Sequence, residues 1–296
     1  MQTNEQILFR MEEDLKLRGL SPRTRSDYPK NARIFLEWAG RPAESLSEED
    51  IRNYLRCLIE EKKLSAATVN TYNAAIRFLF AVTLNRTLNY RQIPRLKQIR
   101  SLPDILTREE VSRVFENTSS LREKAVLITI YGAGLRASEA CNLRVCDIDS
   151  ASMRIFVHKG KGSKDRYTLL SQRNLDVLRE YWKAYRPKHP EGWLFLNGDG
   201  SQKLQYRNVF YSVKSAAKRA GISKKVSAHT LRHCFATHLL EAGTDIFHIK
   251  QLLGHARIQS TTLYLQLLNF GPKLKSPLDL LPKKCGRKPK AVSVHA

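Results

Sequence analysis

Acidic residues are scarce in this 296-residue chain: 28 Asp and Glu stand against 51 Lys and Arg, a formal net charge of +23. Long apolar runs are also missing, and no uninterrupted stretch approaches the length of a membrane span. The start, Met1-Gln2-Thr3-Asn4-Glu5, has neither the basic beginning nor the apolar core of a signal peptide. Cysteine is sparse. Cys57, Cys141, Cys146, Cys234 and Cys285 form no C-x-x-C pair, and an odd count without secretory context argues against a disulfide framework. A reducing, cytoplasmic setting is expected. What the chain does have is cation. An excess this large favours a polyanionic partner, because each phosphate neutralised by Lys or Arg releases a counterion. An inert basic surface is the plain alternative, and charge alone does not say whether a nucleic acid would be cut, bound or coated.

The first hundred residues read as helices. Ser21-Pro22 is an N-cap with proline at the first helical position, and that helix carries Ile34, Phe35 and Trp38. Ser47 with Asp50 opens another helix bearing Ile51, Tyr54, Leu55 and Leu58. Ser65 caps a third, with Val69, Tyr72, Ile76 and Leu79. Between about residues 88 and 103 the periodicity breaks. Pro94 and Pro103 flank Arg95, Lys97 and Arg100, which reads as a basic linker. Thr107 and Glu110 then form a capping box. The second part is mixed: 153–158 alternates like a strand, and 166–170 can pair with it. The loop between them is glycine-rich and basic and carries Lys159, Lys161 and Lys164. Helices follow near 175–185, 206–220, 229–241, 246–253 and 261–268. The tail has a short apolar segment with Leu278, Leu280 and Leu281, then a basic end. A solvated basic tail is the plainer reading of that end, although Gly286-Arg287-Lys288-Pro289-Lys290 has a loose likeness to an AT-hook.

Four stretches carry candidate chemistry: Gly134-Leu135-Arg136-Ala137-Ser138-Glu139, the loop with Lys161, His229-Thr230-Leu231-Arg232, and Leu252-Leu253-Gly254-His255 followed by Tyr264. Taken singly each has a structural reading. Arg136 and Glu139 could be an ordinary ion pair, the loop a solvated turn, His255 a neighbour of a helix cap, and Tyr264 a core aromatic. Cys234 and His238 at i, i+4 suggest zinc, but no second Cys/His pair supplies the remaining ligands at a recognisable spacing. Together they match what phosphodiester cleavage needs without a metal. Arginine forks suit the non-bridging oxygens, a lysine can reach a leaving oxygen, and a tyrosine with an ordinary pKa near 10 needs a cationic setting and a base. His229 and Arg232, at i, i+3, share a helix face and can address one phosphate.

The order Arg, Lys, His-x-x-Arg, Leu-Leu-Gly-His, Tyr resembles the tyrosine recombinase (phage integrase) family over nearly the whole chain. Within that family the chain looks similar to compact Xer-type and integron-type enzymes. It has no insertion of the integron kind before the His-x-x-Arg box, which favours Xer-like or transposon-associated recombinases. The resemblance implies a mainly α fold with a small antiparallel β-sheet. A helical, SAM-like core-binding domain at 1–87 would bind DNA, followed by a linker at 88–103, a mixed α/β catalytic domain at 104–270 and a basic tail at 271–296. It implies catalytic roles for Arg136, Lys161, His229, Arg232, His255 and the nucleophile Tyr264, with Glu139 steadying Arg136. Arg23, Arg77, Arg95, Lys97, Arg100, Lys159 and Lys164 are expected to contact DNA. No metal or other cofactor is implied. The partner would be duplex DNA carrying recombination sites, bound by a homotetramer or a heterotetramer with a paralogue. Leu278, Leu280 and Leu281 would dock on a neighbouring subunit or cap their own. Two other readings stay open: a type IB topoisomerase-like enzyme with the same cleavage chemistry, and a non-catalytic DNA-binding module.

Overall fold

The computed structural model describes residues 2–89, 91–98, 102–158 and 165–267. Arg100, the glycine-rich stretch with Lys159, Lys161 and Lys164, and the tail after 267 lie outside the described residues. The chain divides into two units, Met1–Ser101 and Leu102–Ala296.

Capped amphipathic helices build the first unit. Helix α1 (Asn4–Leu17) opens on a Thr3–Gln6 capping box and α2 (Pro22–Ala39) on Ser21. Helix α3 (Glu48–Glu60) opens on a Ser47–Asp50 box and α4 (Ala66–Phe78) on Ser65. Each cap satisfies backbone N–H groups that the helix itself leaves orphaned. Helix α4 continues into a π-helical turn, Leu79–Thr83. The apolar stripes meet in one core, where the rings of Phe35, Tyr54 and Phe80 pack together. The first part of the expected linker packs on this unit rather than standing free. Leu88 and Ile93 are buried in its core. The α4 residue Asn70 brackets Leu96 with two 2.9 Å hydrogen bonds, and Asn73 donates to the Pro94 carbonyl at 3.0 Å.

The second unit is helical around a three-stranded sheet. Helix α5 (Arg108–Glu116) opens on the Thr107–Glu110 box. Helix α6 (Leu121–Gly132) is buried at every position from 125 to 130, as befits a central helix that is apolar on all sides. After the short α7 (Ala137–Cys141) come β1 (Ile148–Asp149), β2 (Arg154–Val157) and β3 (Arg166–Leu169), in antiparallel order β1-β2-β3. Ile155 pairs with Thr168 and Val157 with Arg166, so these four face the interior side of the sheet. Helices α8 (Gln172–Tyr185), α9 (Tyr206–Arg219), α10 (Ala228–Glu241) and α11 (Ile246–Leu253) follow. The expected last helix is shorter than its spacing suggested: α12 (Gln259–Thr262) tightens into a 3₁₀ turn, Leu263–Leu267. That turn and α11 close over Phe235 and Ala236 of α10, burying Ile249, Leu253 and Tyr264 with them. Among the described residues no helix is long and apolar enough to cross a membrane.

Candidate active site

Two glycine turns and one helix start bring the cationic residues together. Just past the end of α6 comes Gly134, which sits at φ +61° against the Phe235 ring. A Cβ there would lie 2.4 Å from Phe235 Cδ1, so only glycine fits. The chain then turns into α7, with Arg136 as its N-cap residue. The backbone N–H of Arg136 donates to Glu139 Oε2 at 2.9 Å, and its Nη1 donates to Glu139 Oε1 at 2.5 Å. Helix α11 ends at Gly254, φ +65°, where a Cβ would meet Arg166 Cδ at 2.8 Å. His255 follows directly and its Nδ1 meets the Thr261 hydroxyl at 2.9 Å. Helix α10, opened by Ser227, carries His229 and Arg232.

Glu139 is the hub of this cluster. Its side chain is 6% exposed and faces three guanidinium groups: Arg136, Arg166 and Arg232. Arg166 makes a two-pronged pair with it, at 3.0 and 2.7 Å, and turns its Nε to the Leu252 carbonyl at 2.8 Å. Burial opposes ionisation of Glu139, but the Arg166 and Arg136 hydrogen bonds and charges outweigh it and hold the carboxyl at about 2. Arg232 is 1% exposed. It donates from Nη1 to the Gly134 carbonyl at 2.6 Å and from Nη2 to the Leu253 carbonyl at 2.7 Å. Burial, reinforced by the Arg136 charge, lowers its pKa to about 10. Burial and then the guanidinium charges of Arg232, Arg136 and Arg166 push His255 down to about 3, so its imidazole is neutral.

Arg136, Glu139, His229, Arg232, His255 and Tyr264 therefore gather in one region, but not all in the orientation expected from spacing. His229 is exposed on α10, while Arg232 three residues on turns inward to the two carbonyls. Tyr264 is 1% exposed, and its hydroxyl lies 3.2 Å from Nδ1 of His233. The ring that His229 meets is that of His233, edge-on at 4.4 Å. The His255 ring stacks nearly parallel to Tyr264 at 6.3 Å. Two residues here were missed by sequence reasoning. Arg166 had a signal in its alternation, since it lies on the same strand face as buried Thr168. His233 had one in its i, i+4 step from His229. Of the expected DNA contacts, Arg23 has a 91% exposed side chain paired with Asp27, and Arg95 and Lys97 are exposed. Arg77 is half-buried and donates to the Ile93 carbonyl. Among the described residues no His/Cys/Asp/Glu group could hold a metal ion. Cys234 and His238 instead hold the start of the unit: Cys234 Sγ accepts from the Leu106 N–H at 3.3 Å, and His238 Nε2 lies 3.0 Å from the Leu106 carbonyl oxygen.

Known proteins resemble this chain over most of its length. The phage integrase family model matches residues 104–269, and its N-terminal SAM-like domain model matches 7–90. A Sinorhizobium fredii integrase/recombinase is 38% identical over 98% of this chain and 95% of its own length. Tyrosine recombinase XerA of Thermococcus kodakarensis is 34% identical over 90% of this chain and 93% of its own. The solved structure of the site-specific recombinase XerH bound to its difH substrate, a pre-cleavage complex, superposes with a TM-score of 0.67. It is 25% identical and covers 85% of this chain and 78% of that one. The chain belongs to the phage integrase family of tyrosine recombinases.

Proposed function

We propose that Tyr264 is the nucleophile of a site-specific DNA recombinase and that Arg136, Lys161, His229, Arg232 and His255 serve it. The convergence of Arg136 and Arg232 on Glu139, with the stacked His255 and Tyr264 rings within reach of both guanidinium charges, carries this reading. The Tyr264 oxygen attacks the scissile phosphorus, and the bond to the 5′-oxygen breaks. A 3′-phosphotyrosyl ester and a free 5′-hydroxyl result. Arg136 and Arg232, with His255 as a donor, neutralise the charge on the non-bridging oxygens in the transition state. Lys161 gives a proton to the departing 5′-oxygen, and His229 assists removal of the proton from Tyr264. A 5′-hydroxyl from the partner strand then attacks the ester and reverses the step. The ester conserves the energy of the broken bond, so resealing needs no ATP.

The partner is duplex DNA, and the working form is a tetramer on two sites, made of identical subunits or shared with a paralogue. The first unit is the core-binding domain and the second the catalytic domain. Arg23, Arg77, Arg95, Lys97, Arg100, Lys159 and Lys164 are the proposed phosphate contacts, and the protein works in the cytoplasm. The test is a covalent trap. Wild-type protein incubated with nicked duplexes from the gene's own flanks should form a protein–DNA adduct, whereas Tyr264→Phe should bind DNA equally and form none. An adduct that persists in Tyr264→Phe removes Tyr264 from the role. Relaxation of supercoils by a monomer with no joining of paired sites would favour a topoisomerase instead.

A further inference from the structure

The Tyr264 side chain is withdrawn from the surface. An attacking oxygen must come to about 3–3.5 Å from phosphorus, and a side chain 1% exposed among Phe235, Ala236, Ile249 and Leu253 gives a phosphate no such access. Something therefore holds the phenol in and must release it. A buried hydroxyl is costly without a hydrogen-bond partner, and the partner here is His233 Nδ1, at 3.2 Å. His233 is one turn below exposed His229, whose ring contacts it edge-on. The two histidines and the tyrosine form a file running from the surface inward. The charges of Arg232 and Arg136 reach Tyr264 in this file, and the His255 ring stacks on that of Tyr264.

Two roles are open to a histidine so placed: base or holder. Burial first, then the nearby His229 and Arg232, bring His233 down to about 4. Burial raises the Tyr264 phenol above its ordinary 10, against the pull of Arg232 and Arg136. The two shifts run in opposite directions, so moving the proton from the phenol to the imidazole is strongly unfavourable. A neutral imidazole is, in contrast, a good acceptor for a phenolic O–H.

We propose that His233 is a positioning residue for Tyr264, a neutral imidazole whose Nδ1 accepts the phenolic O–H and keeps the ring turned inward until DNA draws it out. The consequence for cleavage rests on Tyr264 being the nucleophile, whereas the hydrogen bond and its holding effect are tested without DNA.

The experiment is nitration of the full DNA-free chain with tetranitromethane, with the rate at each tyrosine read by peptide mass spectrometry. Tyr206, 59% exposed, serves as the fast reference, and Tyr181, 1% exposed in the same unit, as the buried one. His233→Phe keeps a ring but has no acceptor. It should raise nitration at Tyr264 by about two- to tenfold, the population factor that one hydrogen bond is worth. His233→Asn places an amide oxygen where Nδ1 was and should bring the rate back towards wild type. An unchanged Tyr264 rate in His233→Phe overturns the proposal, and so does His233→Asn reacting as fast as His233→Phe. A parallel rise at Tyr181 would mark general loosening and also count against it. On a nicked duplex carrying the mapped site, His233→Phe should form adduct faster by up to the same factor. A hundredfold fall with unchanged nitration would make His233 the base. Failure of Tyr264 as nucleophile leaves the nitration pattern intact, so the two failures are separable.

Discussion

Replacing the hub carboxylate tests the electrostatic account of the site. Glu139→Gln keeps the shape of the side chain and removes its charge, leaving Arg136, Arg166 and Arg232 without their counter-ion. The folded carboxyl is held at about 2 against an ordinary 4.5. At about 1.4 kcal/mol per pKa unit this makes the ionised form worth about 3 kcal/mol to the fold. The figure agrees with the roughly 3–5 kcal/mol lost when one partner of a buried ion pair is removed. The folded value lies below the unfolded one, so this stability is fully present above pH 4.5 and is lost as the pH falls towards 2. The glutamine variant should therefore lose about 3 kcal/mol at pH 7, and its deficit should shrink as the pH drops from 4.5. Urea unfolding measures this in a Trp38→Phe background, so that only Trp182 and Trp193 of the second unit report. A deficit under about 0.5 kcal/mol at pH 7, the scale of an ordinary surface substitution, would refute the reasoning. A deficit independent of pH would do the same.

Other perturbations separate packing from charge. Arg166→Lys keeps the charge but cannot bond both Glu139 oxygens and the Leu252 carbonyl together. It should cost about 1–3 kcal/mol in urea unfolding and slow adduct formation at least about tenfold, about 1.4 kcal/mol in the barrier; an unaltered adduct rate would confine Arg166 to stability. Gly254→Ala combines a left-handed backbone with a 2.8 Å approach to Arg166, whereas Gly40 has φ +63° and nothing within 4 Å. Gly254→Ala should therefore exceed the cost of about 1–2 kcal/mol expected of Gly40→Ala, and equal urea midpoint shifts would contradict the close contact. His233 and His255, held at about 4 and about 3, are neutral when folded, while the unfolded chain binds protons near 6.5. Their contribution is present above pH 6.5 and declines as the pH falls towards those lower values, by about 2 kcal/mol per histidine at pH 5. Unfolding curves at pH 7.5 and pH 5 should show that loss, and a variant with asparagine at both positions should show much less of it.

The helical starts were legible because their signals are local. Ser21, Ser47, Ser65 and Thr107 cap the helices their spacing announced. The β2–β3 pairing was legible from alternation. The residue types of the site were legible from their order, but their orientation was not. Spacing puts His229 and Arg232 on one helix face, yet Arg232 folds inward because the Gly134 and Leu253 carbonyls offer acceptors that come from distant segments. Arg166 and His233 join the site only through such long-range contacts, with Glu139 and with Tyr264. Residues 88–103 read as a linker because Pro94, Pro103 and the basic residues around them mask two buried anchors, Leu88 and Ile93, whose partners lie on helices elsewhere in the unit.

In the proposed reaction one tyrosine among eleven makes the covalent bond to DNA. Digestion of the trapped adduct with protease and nuclease, followed by mass spectrometry, tests it most directly. The expected product is a nucleotide joined through its 3′-phosphate to the peptide containing Tyr264 and to no other. The same modification on a different tyrosine, with Tyr264 unmodified, would contradict it.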